Sequence, residues 1–128
     1  MNETSIAQAG SDPSASEPLG SDVLRGHTDA IVLTVLRHQD RYGYEIYKAI
    51  GDATGGEYEI KEATLYATFR RLVRDGLVDA YWGDETQGGR RKYYSITDAG
   101  RGYQARAVRD WRATQKILTI LLDTKEAR

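Results

Sequence analysis

From Thr97 to Asp123 the sequence runs "TDAGRGYQARAVRDWRATQKILTILLD" without a proline. Thr97 is suited to cap a helix, and Asp98 to sit at its positive end. As one helix, residues 98 to 122 would run roughly 37 Å, too long for a small domain's core to cover. Trp111 and Leu118 stand seven positions apart, as do Ala107, Thr114 and Leu121, and Ile117, Ile120 and Leu122 widen the stripe into a coiled-coil-like seam. An apolar face of that length left in water is an aggregation hazard. A second copy of the chain is therefore expected against it, with Ala107, Trp111, Thr114, Leu118 and Leu121 at the interface.

The rest of the chain has to hold such a helix. At 128 residues it is one domain's worth, large enough to bury a core without staples. It has no cysteine, which removes disulfides, thiolate metal sites and cysteine nucleophiles. His27 and His38 are too far apart in sequence to form a helical metal pair, so no metal is expected. No apolar run approaches the roughly 20 residues of a membrane span, and the N-terminus lacks the basic-then-apolar order of a secretory signal. A cytoplasmic protein without membrane contact is expected.

Formal net charge is −1, but it is unevenly spread. Residues 1–20 hold Glu3, Asp12 and Glu17, both prolines (Pro13 and Pro18) and no Lys or Arg. With so few large apolar residues, that segment reads as a disordered arm. Removing its acids leaves 18 cations against 16 anions for residues 21–128, a mildly basic remainder that permits nucleic-acid binding without arguing for it.

In "DVLRGHTDAIVLTVLRHQ", Val23, Leu24, Ile31, Val32, Val35 and Leu36 recur at helical spacing, with Arg37, His38 and Gln39 expected in the last turn. "YGYEIYKAIGDATGG" reads as a shorter helix carrying Tyr44, Ile46, Tyr47 and Ile50 and stopped by Gly55-Gly56. In "EYEIKEATLYATFRRLVRDG" two faces separate. Leu65, Phe69, Leu72 and Val73 point inward, while Tyr66, Arg70, Arg71 and Arg74 lie mostly on the other side. Thr64 is placed to cap this helix, with free N–H groups suited to a phosphate oxygen, and Gly76 to end it.

"LVDAYW", Leu77 to Trp82, and "RRKYYSI", Arg90 to Ile96, are β-forming runs joined by the turn-rich "GDETQGG", so they make a hairpin. A hairpin directly after a helix-turn-helix is a wing. Its tip carries Gly88, Gly89, Arg90, Arg91 and Lys92, where glycines permit close approach and arginine forks match phosphates or a narrow minor groove. An arginine-faced helix alone fits a solvated surface, and so does a charged hairpin tip. Two basic surfaces close together are what a groove and its flanking phosphates require. Glu57, Glu59 and Glu62 cluster without an acid–base or metal constellation, and there is no nucleophile elbow or phosphate-cradling strand-to-helix loop, so no catalytic site or cofactor is expected.

Taken together, "LRGHTDAIVLTVL", "YGYEI", "ATLYATFRRLVRDGLV", "YW" and "GGRRKYYSITDAGR" resemble the PadR family of bacterial transcriptional regulators, in its short form with a single C-terminal dimerisation helix. Ala63 and Ala67 stand where the family usually has Gly and Pro around its Thr-Leu-Tyr, a departure bearing on the opening turn of the recognition helix. The resemblance implies a mainly α (α+β) fold: a winged helix-turn-helix over residues 21–96, with a two-stranded wing, and a dimerisation helix and tail over 97–128. It also implies a dimeric repressor of an operator near its own gene, released by a small effector. Tyr66 and Arg70 would face the major groove, with Lys61, Thr64 and Arg71 nearby and Arg90, Arg91 and Lys92 at the wing. Trp111 is an interface anchor or, as in some family members, stacks with its symmetry mate on a flat aromatic effector. A winged helix serving protein–protein contact, its basic tip meeting an acidic partner, is the alternative, along with other winged-helix families that differ in their dimer elements.

Overall fold

A computed structural model describes residues 24–84 and 89–123. The arm assigned to residues 1–20 and Gly88 of the wing tip lie outside the described residues. A 3-10 turn, Arg25–His27, leads into α1 (Thr28–Val35). Then come β1 (Arg41–Tyr42), α2 (Gly43–Ala53), α3 (Glu62–Arg74), β2 (Val78–Trp82), β3 (Lys92–Ile96) and α4 (Asp98–Leu122). The three strands form an antiparallel sheet in the order β1-β3-β2. This is a winged-helix fold with a long helix appended.

The first helix is shorter than its periodicity suggests. The Leu36 N–H is shared between the carbonyls of Val32 and Leu33, both at 3.2 Å, which tightens the last turn and ends the helix. Arg37, His38 and Gln39 therefore lie beyond it, exposed, rather than in its last turn. The chain then turns so that Arg41 and Tyr42 pair with Tyr94 and Tyr93, giving the sheet a third strand that the two-stranded wing did not include. Arg41 Nε donates to the Val35 carbonyl (3.2 Å) and ties that short strand to α1.

The helix ends follow local chemistry. Glu45 reaches back to accept from the Tyr42 N–H (3.2 Å) at the start of α2, one half of a capping box. At its end, Gly55 and Gly56 take φ of 62° and 86°, and their N–H groups donate to the carbonyls of Asp52 and Gly51. Gly76 (φ 76°) closes α3 the same way: its N–H donates to Val73 and that of Leu77 to Leu72. Thr97 caps α4, accepting from the Gly100 N–H at 3.0 Å. Thr64 does not cap α3. The N-cap is Lys61, and Thr64 lies inside the first turn, its carbonyl already accepting from Thr68 Oγ1 (2.8 Å).

The core gathers Val32, Leu33 and Leu36 of α1, Ile46 and Ile50 of α2, Leu65, Phe69 and Leu72 of α3, and Val78, Tyr94 and Ile96 of the sheet. Phe69, 2 % exposed, packs tilted against Tyr94 at 4.5 Å; truncating such a ring costs about 3–5 kcal/mol. Val73, expected inward, is instead exposed: one residue past Leu72, it is rotated off the buried stripe at the point where α3 leaves the core. The first half of α4 packs on this unit, where Gln104 Nε2 donates to Thr34 Oγ1 (2.9 Å) and Arg101 Nη1 to the Arg37 carbonyl (3.0 Å). From Arg109 to Asp123 every residue of the helix and its cap is exposed.

Candidate nucleic-acid interface

α3 buries Leu65, Thr68, Phe69 and Leu72 and turns Lys61, Tyr66, Arg70 and Arg74 to solvent. Tyr66 is only 41 % exposed. Its ring stands edge-on to Phe69 at 5.0 Å, and its hydroxyl lies against buried Gly43 at the start of α2, where a side-chain carbon would come within 2.4 Å of it. The absence of a side chain at Gly43 therefore decides how Tyr66 lies. Arg70 is exposed and lowers the pKa of Tyr94, which burial, first, and Tyr66 raise. Arg71 differs from its neighbours. Its Nη2 donates to Asp29 Oδ1 and its Nε to Oδ2 (3.5 Å), and that hydrogen bonding is the first cause of its raised pKa. Its fork is thus committed to α1 within the domain.

Arg90, Arg91 and Lys92 are all exposed at the start of β3, each over an aromatic ring. Arg90 Cζ lies 5.6 Å and Lys92 Nζ 5.9 Å from the Trp82 ring centroid, and Arg91 Cζ lies 4.8 Å from that of Tyr42. Strand alternation explains the division, because Arg90 and Lys92 fall on one face and Arg91 on the other. Tyr42, Tyr93 and Tyr81 are cross-strand partners and form a row across the sheet, Tyr93 stacked on Tyr81 at 5.7 Å and edge-on to Tyr42 at 5.6 Å. Tyr81 donates to Asp40 Oδ2 (2.5 Å), bracing the wing against the turn after α1. The wing is thus connected to α3 through Tyr94 and to the turn after α1 through Asp40.

Residues 32–106 match the family described as transcriptional regulator PadR-like. The chain belongs to the PadR-like family of transcriptional regulators. It is 43 % identical over 106 residues to an uncharacterized protein of Lysinibacillus sphaericus, covering 83 % of this chain and 97 % of that one. Among solved structures it is similar to a transcriptional regulator from Clostridium thermocellum (42 % identity, TM-score 0.75, 81 % of this chain and 98 % of that one). It is also similar to a PadR family regulator from Eggerthella lenta (32 % identity, TM-score 0.71, 81 % and 88 %). A third, from Clostridium difficile, is 33 % identical with a TM-score of 0.66, covering 76 % and 99 %.

On this PadR-like chain the residues expected at a dimer interface fall in two groups. Ala107 is half-buried, whereas Trp111, Thr114, Leu118 and Leu121 are exposed. Ala107, Val108 and Trp111 of α4 face Ile31 and Val35 of α1 and Ile50 of α2 across a mostly apolar recess of about 480 Å³. Tyr58 also lines it, with its hydroxyl buried near Thr28; burial raises that group's pKa, and the Thr28 side chain offsets part of the rise. Among the described residues no group of three or more His, Asp or Glu side chains could hold a metal ion, and no helix is long and apolar enough to cross a membrane. Asp29, Gly43, Asp40 and Trp82 shape the surface around α3 and the wing without having been singled out from sequence. Only Trp82 left a trace there, as the last β-former before the turn.

Proposed function

We propose that this PadR-like regulator acts as a homodimer on double-stranded operator DNA near its own gene, as a repressor that a small aromatic effector releases. α3 enters the major groove with Tyr66 and Arg70 toward base edges and Lys61 and Thr64 alongside. Arg90, Arg91 and Lys92 meet the flanking backbone or a narrow minor groove, and Arg71 orients α3 from behind. One observation supports this reading: Arg70 is exposed on α3 close enough to Tyr94 to lower its pKa, and Lys92 and Arg90, two and four residues before Tyr94 on the same face of the wing, are exposed as well.

Residues 21–96 form the reading unit in this proposal, and 97–128 the pairing unit. The exposed stripe of Trp111, Thr114, Leu118 and Leu121 receives the same stripe of a second copy, setting two recognition helices about 34–36 Å apart for half-sites one DNA turn from each other. Trp111, at the edge of both stripe and recess, serves as anchor and as the surface on which a flat effector stacks. Such a role belongs in the cytoplasm, and it calls for no catalytic group or cofactor.

Fluorescence anisotropy against a duplex from upstream of the gene, with a scrambled duplex alongside and salt varied, tests the reading. The expected result is preference for the native duplex, loss of affinity on the order of 10³-fold or more between 50 and 200 mM salt, and weakening by Arg90→Ala/Arg91→Ala/Lys92→Ala. Equal, weak binding of both duplexes with no effect of the triple substitution would overturn it and favour an acidic protein partner for the basic tip.

A further inference from the structure

Trp82 ends β2 with its side chain 55 % exposed, outside the core cluster. Leaving so large a ring in water calls for a use on the surface. Its cross-strand partner is Lys92. Alternation places that pair on the same side of the sheet as Ala80–Tyr94 and Val78–Ile96, the side that packs on α3 through Tyr94 and Phe69. Arg90, two residues before Lys92, falls on this side too, and both cations sit within 6 Å of the ring centre, at 5.6 and 5.9 Å. The Gly83 N–H donates to the Arg91 carbonyl at 2.7 Å, so backbone pairing continues past Trp82 and fixes the chain between the two cations against the indole.

Two like charges on one strand face repel each other, and each side chain has many rotamers to lose on ordering. An electron-rich ring within 6 Å of both opposes both effects, because its face attracts a cation. A guanidinium attracted to the ring face at that distance keeps N–H donors free for a phosphate oxygen. Cations held this way are ordered before DNA arrives and remain able to bind it.

We propose that Trp82 is a positioning residue of the DNA interface, holding Arg90 and Lys92 on the α3 side of the wing, preformed for neighbouring phosphates, with its exposed indole covered by the sugar–phosphate backbone in the complex. The proposal rests on the DNA-binding reading above and adds to it a residue that acts through two others.

Anisotropy with the full chain and the upstream duplex at about 0.1 M salt tests it, with Trp82→Leu and Trp82→Phe placed in both the wild-type and the Arg90→Ala/Lys92→Ala backgrounds. Trp82→Leu is expected to weaken binding about 5- to 10-fold in the first and less than about 2-fold in the second, with Trp82→Phe recovering most of the loss. Indole fluorescence is expected to change on adding duplex to wild type and not to Trp82→Phe, which keeps Trp111. That comparison still decides the matter should Trp82→Leu fail to fold, and an identical fluorescence response in the two proteins would overturn the proposal. So would equal losses in both backgrounds, since the ring would then act independently of the cations. If Trp82→Leu binds like wild type while the Arg90→Ala/Lys92→Ala pair is weakened, this proposal falls and the wing's role stands. If wild type binds no duplex, the DNA-binding reading itself has failed.

Discussion

Arg71 of α3 and Asp29 of α1 form a forked ion pair across the domain, and Arg71 Nη2 also reaches Thr68 Oγ1 at 3.4 Å. The two side chains are 40 % and 23 % exposed, so water screens the pair and its worth is about 0.5–1 kcal/mol. Its larger effect is geometric, because it ties α3 to α1 and so fixes the roll of the helix proposed to enter the groove. Asp29→Ala is expected to lower stability by about 1 kcal/mol in urea unfolding. It should weaken operator binding about as much as Arg71→Ala, with the double variant no worse than either. A gain in affinity from Asp29→Ala alone would instead mean that the freed guanidinium contacts DNA.

Two glycines are predicted to respond to alanine in opposite ways. At Gly100 the added carbon would lie 2.1 Å from the Leu77 carbonyl oxygen and 2.8 Å from Ile96 Cγ1. Backbone cannot swing aside, so the clash outweighs the helix-propensity gain of about 1 kcal/mol, and a net loss of about 2 kcal/mol is expected in urea unfolding. At Gly43 the obstacle is the far end of Tyr66, which can rotate. Gly43→Ala should remain within about 1 kcal/mol of wild type in the same assay yet weaken operator binding, because Tyr66 must leave its place on α3.

Alkaline titration reports on the wing's brace. The hydrogen bond to Asp40 is the first cause that raises the Tyr81 phenol to about 12, against an ordinary value of 10.0. Its neutral form is the one favoured in the folded state, so the contribution is complete below about pH 10 and is lost as pH rises through about 12. Tyrosinate absorbance should therefore show a late-ionising group that shifts to ordinary values in Asp40→Asn and disappears in Tyr81→Phe. Tyr58 and Tyr94, raised chiefly by burial, should persist in both variants.

The apolar stripe on α4 makes a prediction about assembly. Leu118 and Leu121 are 46 % and 64 % exposed in the single chain. Leu118→Asp/Leu121→Asp should convert a dimer to a monomer in sedimentation velocity while leaving the circular dichroism of the winged-helix unit in place. Operator affinity should fall with it, since each half-site would then be bound alone. A wild-type chain that sediments as a monomer at micromolar concentration would contradict the pairing.

The helices were readable because periodicity is local. Leu65, Phe69 and Leu72 recur on one stripe, Thr97 and Gly76 mark ends by their own chemistry, and the long last helix has nothing to interrupt it. What escaped depends on partners distant in the chain. Arg41 and Tyr42 make a two-residue strand with no pattern of its own, and only the presence of Tyr93 and Tyr94 gives it pairing. Arg71 looks like any cation on a basic face until Asp29 is brought beside it. Thr64 has the chemistry of a cap, but the chain is already helical from Glu62, so the capping position falls on Lys61. Val73 follows the apolar pattern of its helix and is exposed because the core stops a residue earlier. The wing cations were visible as charge, whereas the rings they lie over needed the strand register.

Thr97 was described as the cap of α4, but its hydroxyl also donates to the Gly76 carbonyl at 2.8 Å and its N–H to that of Leu77 at 3.1 Å. The residues that end α3 are thus tied by two hydrogen bonds to the one that starts the long helix, although the hairpin separates them in the chain. α4 is therefore anchored at its root to the winged-helix unit and projects from it like a lever arm. A tilt of about 5° at that root sweeps the far end of a ~37 Å arm through roughly 3 Å, close to the rise of one base pair. In the proposed dimer, a change of that size in the angle at which two such arms cross would change the gauge between the two winged-helix units by about one step of the DNA ladder.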